Sequence, residues 1–251
     1  MLVVGVVLFE AVRRALVSTQ NPNLLPALIL LGAAVVPAAF VTFIAGRRLS
    51  VDVHGGALAL VAVVGGVVGV VAAGVLEFDT VRRLGAMPMV AVGLIEEAAK
   101  LLVPVALVLA VRRWRRPSDG LLVGVASGAG FAALETMGYA FVVLIQTRGS
   151  LDAVDGVLVL RGLLSPAAHM AWTGLTTAAL WRAAGRGWSG AAALRFVGAY
   201  AVAVALHTAW DTLGSTTGYA VVAVLSLGLL LVVTHRLSAA DQRQPFLAPA
   251  H

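Results

Sequence analysis

Three ionisable residues interrupt one apolar run of the sequence. Glu96, Glu97 and Lys100 lie in a hydrophobic stretch that extends from Met87 to Val111. A charge near the centre of a bilayer costs about 2.5–3.5 kcal/mol on insertion scales, so such residues are rare and by default functional. Lys100 is the only lysine among 18 basic residues. An ion pair between Glu96 and Lys100, at i and i+4, explains two of the charges without a function but leaves Glu97 unexplained.

Other apolar segments carry further ionisable residues. Glu135 ends the motif Phe131-x-x-x-Glu135, and His169 begins the segment His169–Gly174. His207 and Asp211 are four residues apart, which places both side chains on one face of a helix. Taken singly, Glu135 fits a structural hydrogen bond and His169 a satisfied core histidine. Their joint occurrence in consecutive apolar segments predicts a shared site.

Glutamate and histidine together are the ligands of hard or borderline divalent cations, with zinc the usual occupant. They are also the groups that activate water for amide hydrolysis, which needs a base and a cationic or metal group facing the oxyanion. We therefore expect Glu96 or Glu97, Glu135, His169 and His207 to share one pocket, in the outer half of the bilayer.

The composition predicts the elements that hold these residues. The 251 residues are 60% hydrophobic and 12% charged, whereas soluble domains have about 25% charged residues. We predict an all-α, polytopic transmembrane helix bundle that forms a single integral membrane domain, residues 1–251. Its seven predicted spans are Leu24–Ala45, Gly56–Leu76, Pro88–Val111, Leu121–Ile145, Val157–Trp181, Ala191–Leu213 and Tyr219–Thr234.

The N-terminal segment Met1–Val17 is either an interfacial helix or an eighth span, because Glu10, Arg13 and Arg14 interrupt it. It has no preceding basic region and no small-residue cleavage site, so we do not expect a cleavable signal peptide. Gly124-x-x-x-Gly128 is typical of a surface where two membrane helices approach closely.

Loop arginines predict the orientation, with ten on one side of the spans and five on the other. By the positive-inside rule the richer side is cytoplasmic, and so is the C-terminus of this inner or plasma membrane protein. Residues 236–251 form a short cytoplasmic tail, which we expect to be disordered from Ser238. The richer side carries Arg47, Arg48, Arg112, Arg113, Arg115, Arg116, Arg182, Arg186, Arg236 and Arg243; the other carries Arg13, Arg14, Arg82, Arg83 and Arg148.

Two classes of function are disfavoured. The chain has no cysteine, which excludes disulfides, thiolate metal sites and cysteine nucleophiles. Its arginines form short groups between apolar runs rather than a basic stripe, so nucleic acid is not an expected partner.

The motifs, in their order along the chain, resemble those of the PrsW intramembrane proteases, distant relatives of the CAAX-processing endopeptidases and the abortive-infection group. The resemblance covers residues 87–213, the predicted motif core. It implies a polytopic helical protease, dependent on a metal, that cleaves membrane-anchored proteins such as anti-sigma factors. The motifs are Glu96-Glu97-x-x-Lys100, Phe131-x-x-x-Glu135, His169–Gly174 and His207-x-x-x-Asp211.

The same resemblance implies roles for the site residues. Glu96 or Glu97 would be the base that activates water, and Lys100 its electrostatic partner. Asp211 would orient His207. The ligands of a divalent metal, with zinc expected, or else further catalytic polar groups, would be Glu135, His169 and His207.

Two other functions remain open from the residues. A proton-coupled transporter also uses glutamate, histidine and lysine as a relay within the membrane. Against it, the sequence shows no inverted repeat and no pair of spans broken by glycine or proline. A non-catalytic membrane scaffold would be favoured if a motif residue were missing, and none is.

Overall fold

The computed structural model describes residues 1–243 as α-helices joined by short connections, with no strand in that part of the chain. Single 3₁₀ turns, Pro22–Leu24 and Ser165–Ala167, precede two of the helices. The helices are α1 (Leu2–Thr19), α2 (Leu25–Ala45), α3 (Gly55–Leu84), α4 (Met89–Ala110), α5 (Pro117–Gln146), α6 (Leu151–Leu164), α7 (His169–Gly185), α8 (Gly190–Leu213) and α9 (Thr216–Arg243).

Five helical segments of the described chain are long and apolar enough to cross a membrane. They coincide with five of the seven predicted spans, and the predicted all-α membrane bundle is confirmed. A sixth predicted span forms α4, which has 22 residues but carries the three charges of Glu96, Glu97 and Lys100. The five segments are Pro22–Ala45, Gly55–Leu84, Pro117–Gln146, Gly190–Leu213 and Thr216–Gln242.

The predicted span Val157–Trp181 is wrong, because the chain breaks there into α6 and α7. Pro166 has no N–H to donate and its ring clashes with the carbonyl four residues earlier, that of Gly162. The hydroxyl of Ser165 donates to this carbonyl at 2.9 Å, which satisfies an acceptor that the helix would leave free. The break makes His169 the first residue of α7.

Two helices extend further than predicted. α3 continues past Leu76 until Gly85, whose φ of 71° ends the helix. α9 continues to Arg243, so residues 238–243, predicted to be disordered, are helical. Asp241 holds this end in place, because its carboxylate accepts from Ser118 Oγ at 2.8 Å and from the Ser50 amide at 2.9 Å. The rest of the predicted tail, residues 244–251, lies outside the described residues.

The N-terminal segment forms α1, an 18-residue helix whose apolar side chains are largely exposed. It is not one of the five membrane-crossing segments. Arg13 Nε lies 2.5 Å from Asp155 Oδ2 of α6, so one of the charges that interrupt the segment joins α1 to α6.

α5 is the central helix, and it packs against α2, α3, α4, α6 and α7. Its glycines allow this. A Cβ at Gly124 would collide with Thr177 and the backbone of α7, and one at Gly128 would lie 2.5 Å from the carbonyl oxygen of His169. A Cβ at Gly130 would collide with the backbone of Ala62 in α3. The packing surface predicted at Gly124 and Gly128 is confirmed, and it fixes the start of α7.

This packing predicts a difference between glycines of the same helix. Gly130→Ala should lower the free energy of unfolding by about 1–3 kcal/mol or more, because the backbones of α3 and α5 must separate. Gly138→Ala should leave it unchanged or raise it, since nothing lies within 4 Å of a Cβ there. Thermal unfolding of both purified variants in detergent measures this. Equal stability of the two variants would contradict the packing described.

Candidate functional site

Four helices bring ionisable side chains together inside the bundle. α4 supplies Glu96, Glu97 and Lys100, and α8 supplies His207, all of them buried. His169, also buried, stands at the start of α7. The other two predicted residues lie at the edge of this group. Glu135 of α5 is 18% exposed in its side chain and Asp211 of α8 is 27% exposed.

Lys100 is the centre of the group. Its side chain has no exposure, and its Nζ lies 2.6 Å from Glu97 Oε1 and 2.8 Å from His169 Nδ1. Glu96 Oε2 is further away, at 3.7 Å. The spacings of i,i+3 and i,i+4 let one lysine face both glutamates of its own helix. The i,i+4 pair considered from the sequence is therefore the weaker of two, and Glu97 is the principal partner.

The contacts of His169 assign its proton. A charged lysine has donors and no acceptor, so His169 Nδ1 accepts from Lys100 and the ring proton is on Nε2. Nε2 lies 2.8 Å from Glu135 Oε2, which is within hydrogen-bonding distance but without the alignment of a good hydrogen bond. Lys100, His169 and Glu135 thus form a chain that joins α4, α7 and α5.

His207 has the opposite ring tautomer, with its proton on Nδ1. Its Nδ1 lies 2.8 Å from Glu97 Oε1, so Nδ1 donates to that carboxylate. Nε2 then faces Glu96 Oε2 at 3.5 Å and Asp211 Oδ2 at 3.3 Å. With the ring neutral, these three atoms are all acceptors. Acceptors that face one another require a proton or a cation between them.

A metal ion fits this donor set. Ligand atoms of Glu96, His169 and His207 lie within 4.8 Å of one another, and all three residues are buried. Glu96 Oε2 has no hydrogen-bond partner although it is buried. Two histidines and one glutamate are an established ligand set of catalytic zinc. Glu97 on His207 Nδ1 is the kind of carboxylate that orients a metal-bound histidine.

The three residues that the structure groups differ from the predicted ligands in one member. Glu135, predicted as a ligand, contacts His169 but is not in the group that includes His207. Glu96 takes its place.

Two buried aromatic rings pack against the group. The ring of Phe131 lies 4.6 Å below Lys100 Nζ, which is cation–π geometry. Trp172 is fully buried and stacks on His207, with ring centroids 4.9 Å apart. Its indole N–H donates to Ser226 Oγ at 2.9 Å, so α9 fixes the ring that supports His207.

Sequence reasoning missed Arg161 of α6. Its Nη2 lies 2.7 Å from Glu135 Oε2, and its guanidinium stacks over Tyr139 at 4.0 Å. A small cavity of about 70 Å³ lies beside Arg161 and His169. The sequence does contain a signal for it, because Arg161 is a charged residue in an apolar run, as Glu135 is.

Glu77 of α3 was missed for another reason. Its Oε1 is buried without a hydrogen-bond partner, and its carboxyl group is close enough to Glu135, His207 and Lys100 to interact with them electrostatically. The predicted span ended at Leu76, which placed Glu77 in a loop. In the structure α3 carries it alongside the site.

Comparison with known protein families finds a match to the PrsW family intramembrane metalloprotease model over residues 22–235. Comparison with curated proteins and with solved structures gives no match. The matched range includes every residue of the group around Lys100 and all the helices that position it. The chain thus belongs to the PrsW family of intramembrane metalloproteases, a family of membrane-embedded enzymes.

Proposed function

We propose that the protein hydrolyses a peptide bond of a membrane-anchored protein, of the anti-sigma-factor class, at the group around Lys100. The observation that carries the proposal is the buried convergence of two glutamates, a lysine and two histidines from three helices. Burying so many ionisable groups costs free energy, and their presence therefore favours a functional role. Family membership supports the reaction type.

The two adjacent glutamates have different environments and therefore different roles. Glu97 Oε1 already accepts from both Lys100 and His207. The ion-pair contacts of Glu96 are longer and all involve Oε2, which leaves Oε1 for a water. We assign Glu96 as the base and Glu97 as the residue that positions Lys100 and His207.

In this assignment Glu96 takes a proton from the attacking water as the water oxygen bonds to the scissile carbonyl carbon. Lys100 places a fixed positive charge beside the negative charge that develops, in a site with little water to screen it. The C–N bond then breaks, and Glu96 returns the proton to the departing amine. Glu97 holds His207 through Nδ1, Asp211 lies 3.3 Å from Nε2 of the same ring, and Glu135 holds His169.

A divalent metal, with zinc the best fit, would be held by His169, His207 and Oε2 of Glu96, and Oε1 of Glu96 would remain free to act as the base. Such an ion supplies Lewis-acid polarisation of the scissile carbonyl and favours loss of a proton from water. His169 would exchange its contact with Lys100 or with Glu135 to bind it, since both ring nitrogens are engaged.

The arginine distribution supports a cytoplasmic C-terminus. Arg112–Arg116 and Arg236 lie on the arginine-rich side, and positive residues are retained on the cytoplasmic side of a membrane. The site then opens toward the extracytoplasmic half of the bilayer, where Asp211 is exposed near the end of α8.

The division of roles predicts different effects of the same substitution at neighbouring positions. Glu96→Gln should lower cleavage of a verified single-span substrate about 10²–10⁴-fold, because it removes the base. Its unfolding temperature should stay near that of the wild type. Glu97→Gln should instead lower the free energy of unfolding by about 3–5 kcal/mol, because buried Lys100 loses its carboxylate.

Glu10→Gln, on α1 and outside the site, is the matched control and should change neither property. Cleavage is followed by electrophoresis and stability by thermal unfolding in detergent. Near-normal cleavage by Glu96→Gln would refute its assignment as the base. If Glu97→Gln were as stable as the control, its structural role would be wrong.

Measurements of bound metal distinguish two ligand sets, in which the third ligand beside His169 and His207 is either Glu96 or Glu135. Chelation should abolish cleavage, and added zinc should restore it. Elemental analysis should find less metal in His169→Ala and His207→Ala than in the wild type. Glu135→Gln should keep its metal, because Glu135 is outside the group of three ligands. Loss of metal from Glu135→Gln would instead support the ligand set predicted from the sequence. Full activity of the metal-free protein would refute a metal mechanism.

The orientation is tested with reporter fusions after Arg116 and after Arg243. Both reporters should be active in the cytoplasm, because the arginines near them outnumber those on the other side. A fusion after Arg148 should report the opposite side. Extracytoplasmic signals from both of the first two fusions would invert the topology.

A further inference from the structure

A groove of about 350 Å³ lies between α7, α8 and α9, away from the group around Lys100. Each helix contributes one arginine to its lining, and each arginine has an apolar lining residue seven positions away on the same helix face. The arginines are Arg182, Arg195 and Arg236, and the apolar residues are Leu175, Val202 and Leu229.

The lining is charged at one end and apolar at the other. Arg182 and Arg236 follow their apolar partners on α7 and α9, whereas Arg195 precedes its partner on α8. Because α7 and α8 are consecutive and joined by a short turn, all three arginines lie at the arginine-rich end of the bundle. Seven helical residues span about 10 Å, so the groove has a cationic head and an apolar floor of about that length.

The three arginines have no carboxylate partner among the described residues. The arginines that do form ion pairs in residues 1–242 are Arg13, Arg14, Arg116 and Arg161. The charges that act on Arg182 are those of other arginines, Arg186 and Arg195. Like charges gathered from three helices at the surface of the bundle repel one another, and a bound anion would offset that repulsion.

We propose that the groove binds an anionic phospholipid, with its phosphate between the three arginines and an acyl chain on the apolar floor. Arginine forks match phosphate oxygens, and basic pockets between membrane helices bind anionic head groups. The arginine-rich end is the one assigned to the cytoplasmic leaflet, where anionic lipids lie. The lipid bridges α7 and α8, which carry His169 and His207.

The head-group contact is tested with the full-length protein in phosphatidylcholine nanodiscs to which phosphatidylglycerol is added. Bound lipid is counted by native mass spectrometry. Arg182→Gln/Arg195→Gln should weaken binding about 25-fold, since each basic residue near an anionic lipid is worth about fivefold. Arg112→Gln/Arg113→Gln removes the same charge from the same end, outside the groove, and should bind like the wild type. Equal losses in both variants would refute a specific site.

The chain contact is tested without changing charge. Gly198 lines the groove and has open space around it, so Gly198→Leu should fill the floor and displace phosphatidylglycerol. Gly228→Leu, also in open space but outside the lining, is its control and should bind like the wild type. Soluble glycerol 3-phosphate should not compete. Competition by glycerol 3-phosphate, or unchanged binding by Gly198→Leu, would mean that a phosphate alone is recognised and would overturn the proposal.

Discussion

The fold depends on satisfying one buried ammonium group. Lys100 has no contact with solvent, and an uncompensated charge at that depth would oppose insertion and folding. Its compensation comes from Glu97 on its own helix and from His169 on α7, so its set of partners is complete only where α4 and α7 meet. His207 then shares the Glu97 carboxylate, which adds α8. The site and the bundle are thus stabilised by the same contacts.

A lysine suits this position better than the arginine that the chain uses elsewhere. An ammonium is compact and donates in three directions, which matches Glu97, His169 and the ring of Phe131 around it. The close approach of α5 to α7 at Gly128 fixes the backbone of His169, whose ring contacts Lys100. A planar guanidinium is larger than an ammonium and would need a wider cavity at this position.

The sequence predicts what depends on composition and helical spacing. The five apolar spans follow from the lengths of the hydrophobic runs. The shared helix face of His207 and Asp211 follows from their spacing of four residues. The chemical types that meet in the site could also be predicted, because charges in apolar runs are conspicuous.

Other features depend on tertiary packing, which spacing does not encode. The exchange of Glu135 for Glu96 beside the two histidines depends on how α4, α5 and α7 rotate against each other. The break at Pro166 is not predicted because the apolar run continues through it, and the hydroxyl of Ser165 satisfies the Gly162 carbonyl that the break would leave free.

The brevity of α6 determines the depth of His169. Its 14 residues measure about 21 Å, less than the 30 Å of a typical hydrocarbon layer. α6 therefore cannot cross that layer by itself, and the chain begins α7 part-way through it. The turn at Ser165–Ala167 that makes this junction is buried, so its backbone groups are shielded from lipid, which could not hydrate them. His169, the first residue of α7, thus stands within the layer because α6 ends early.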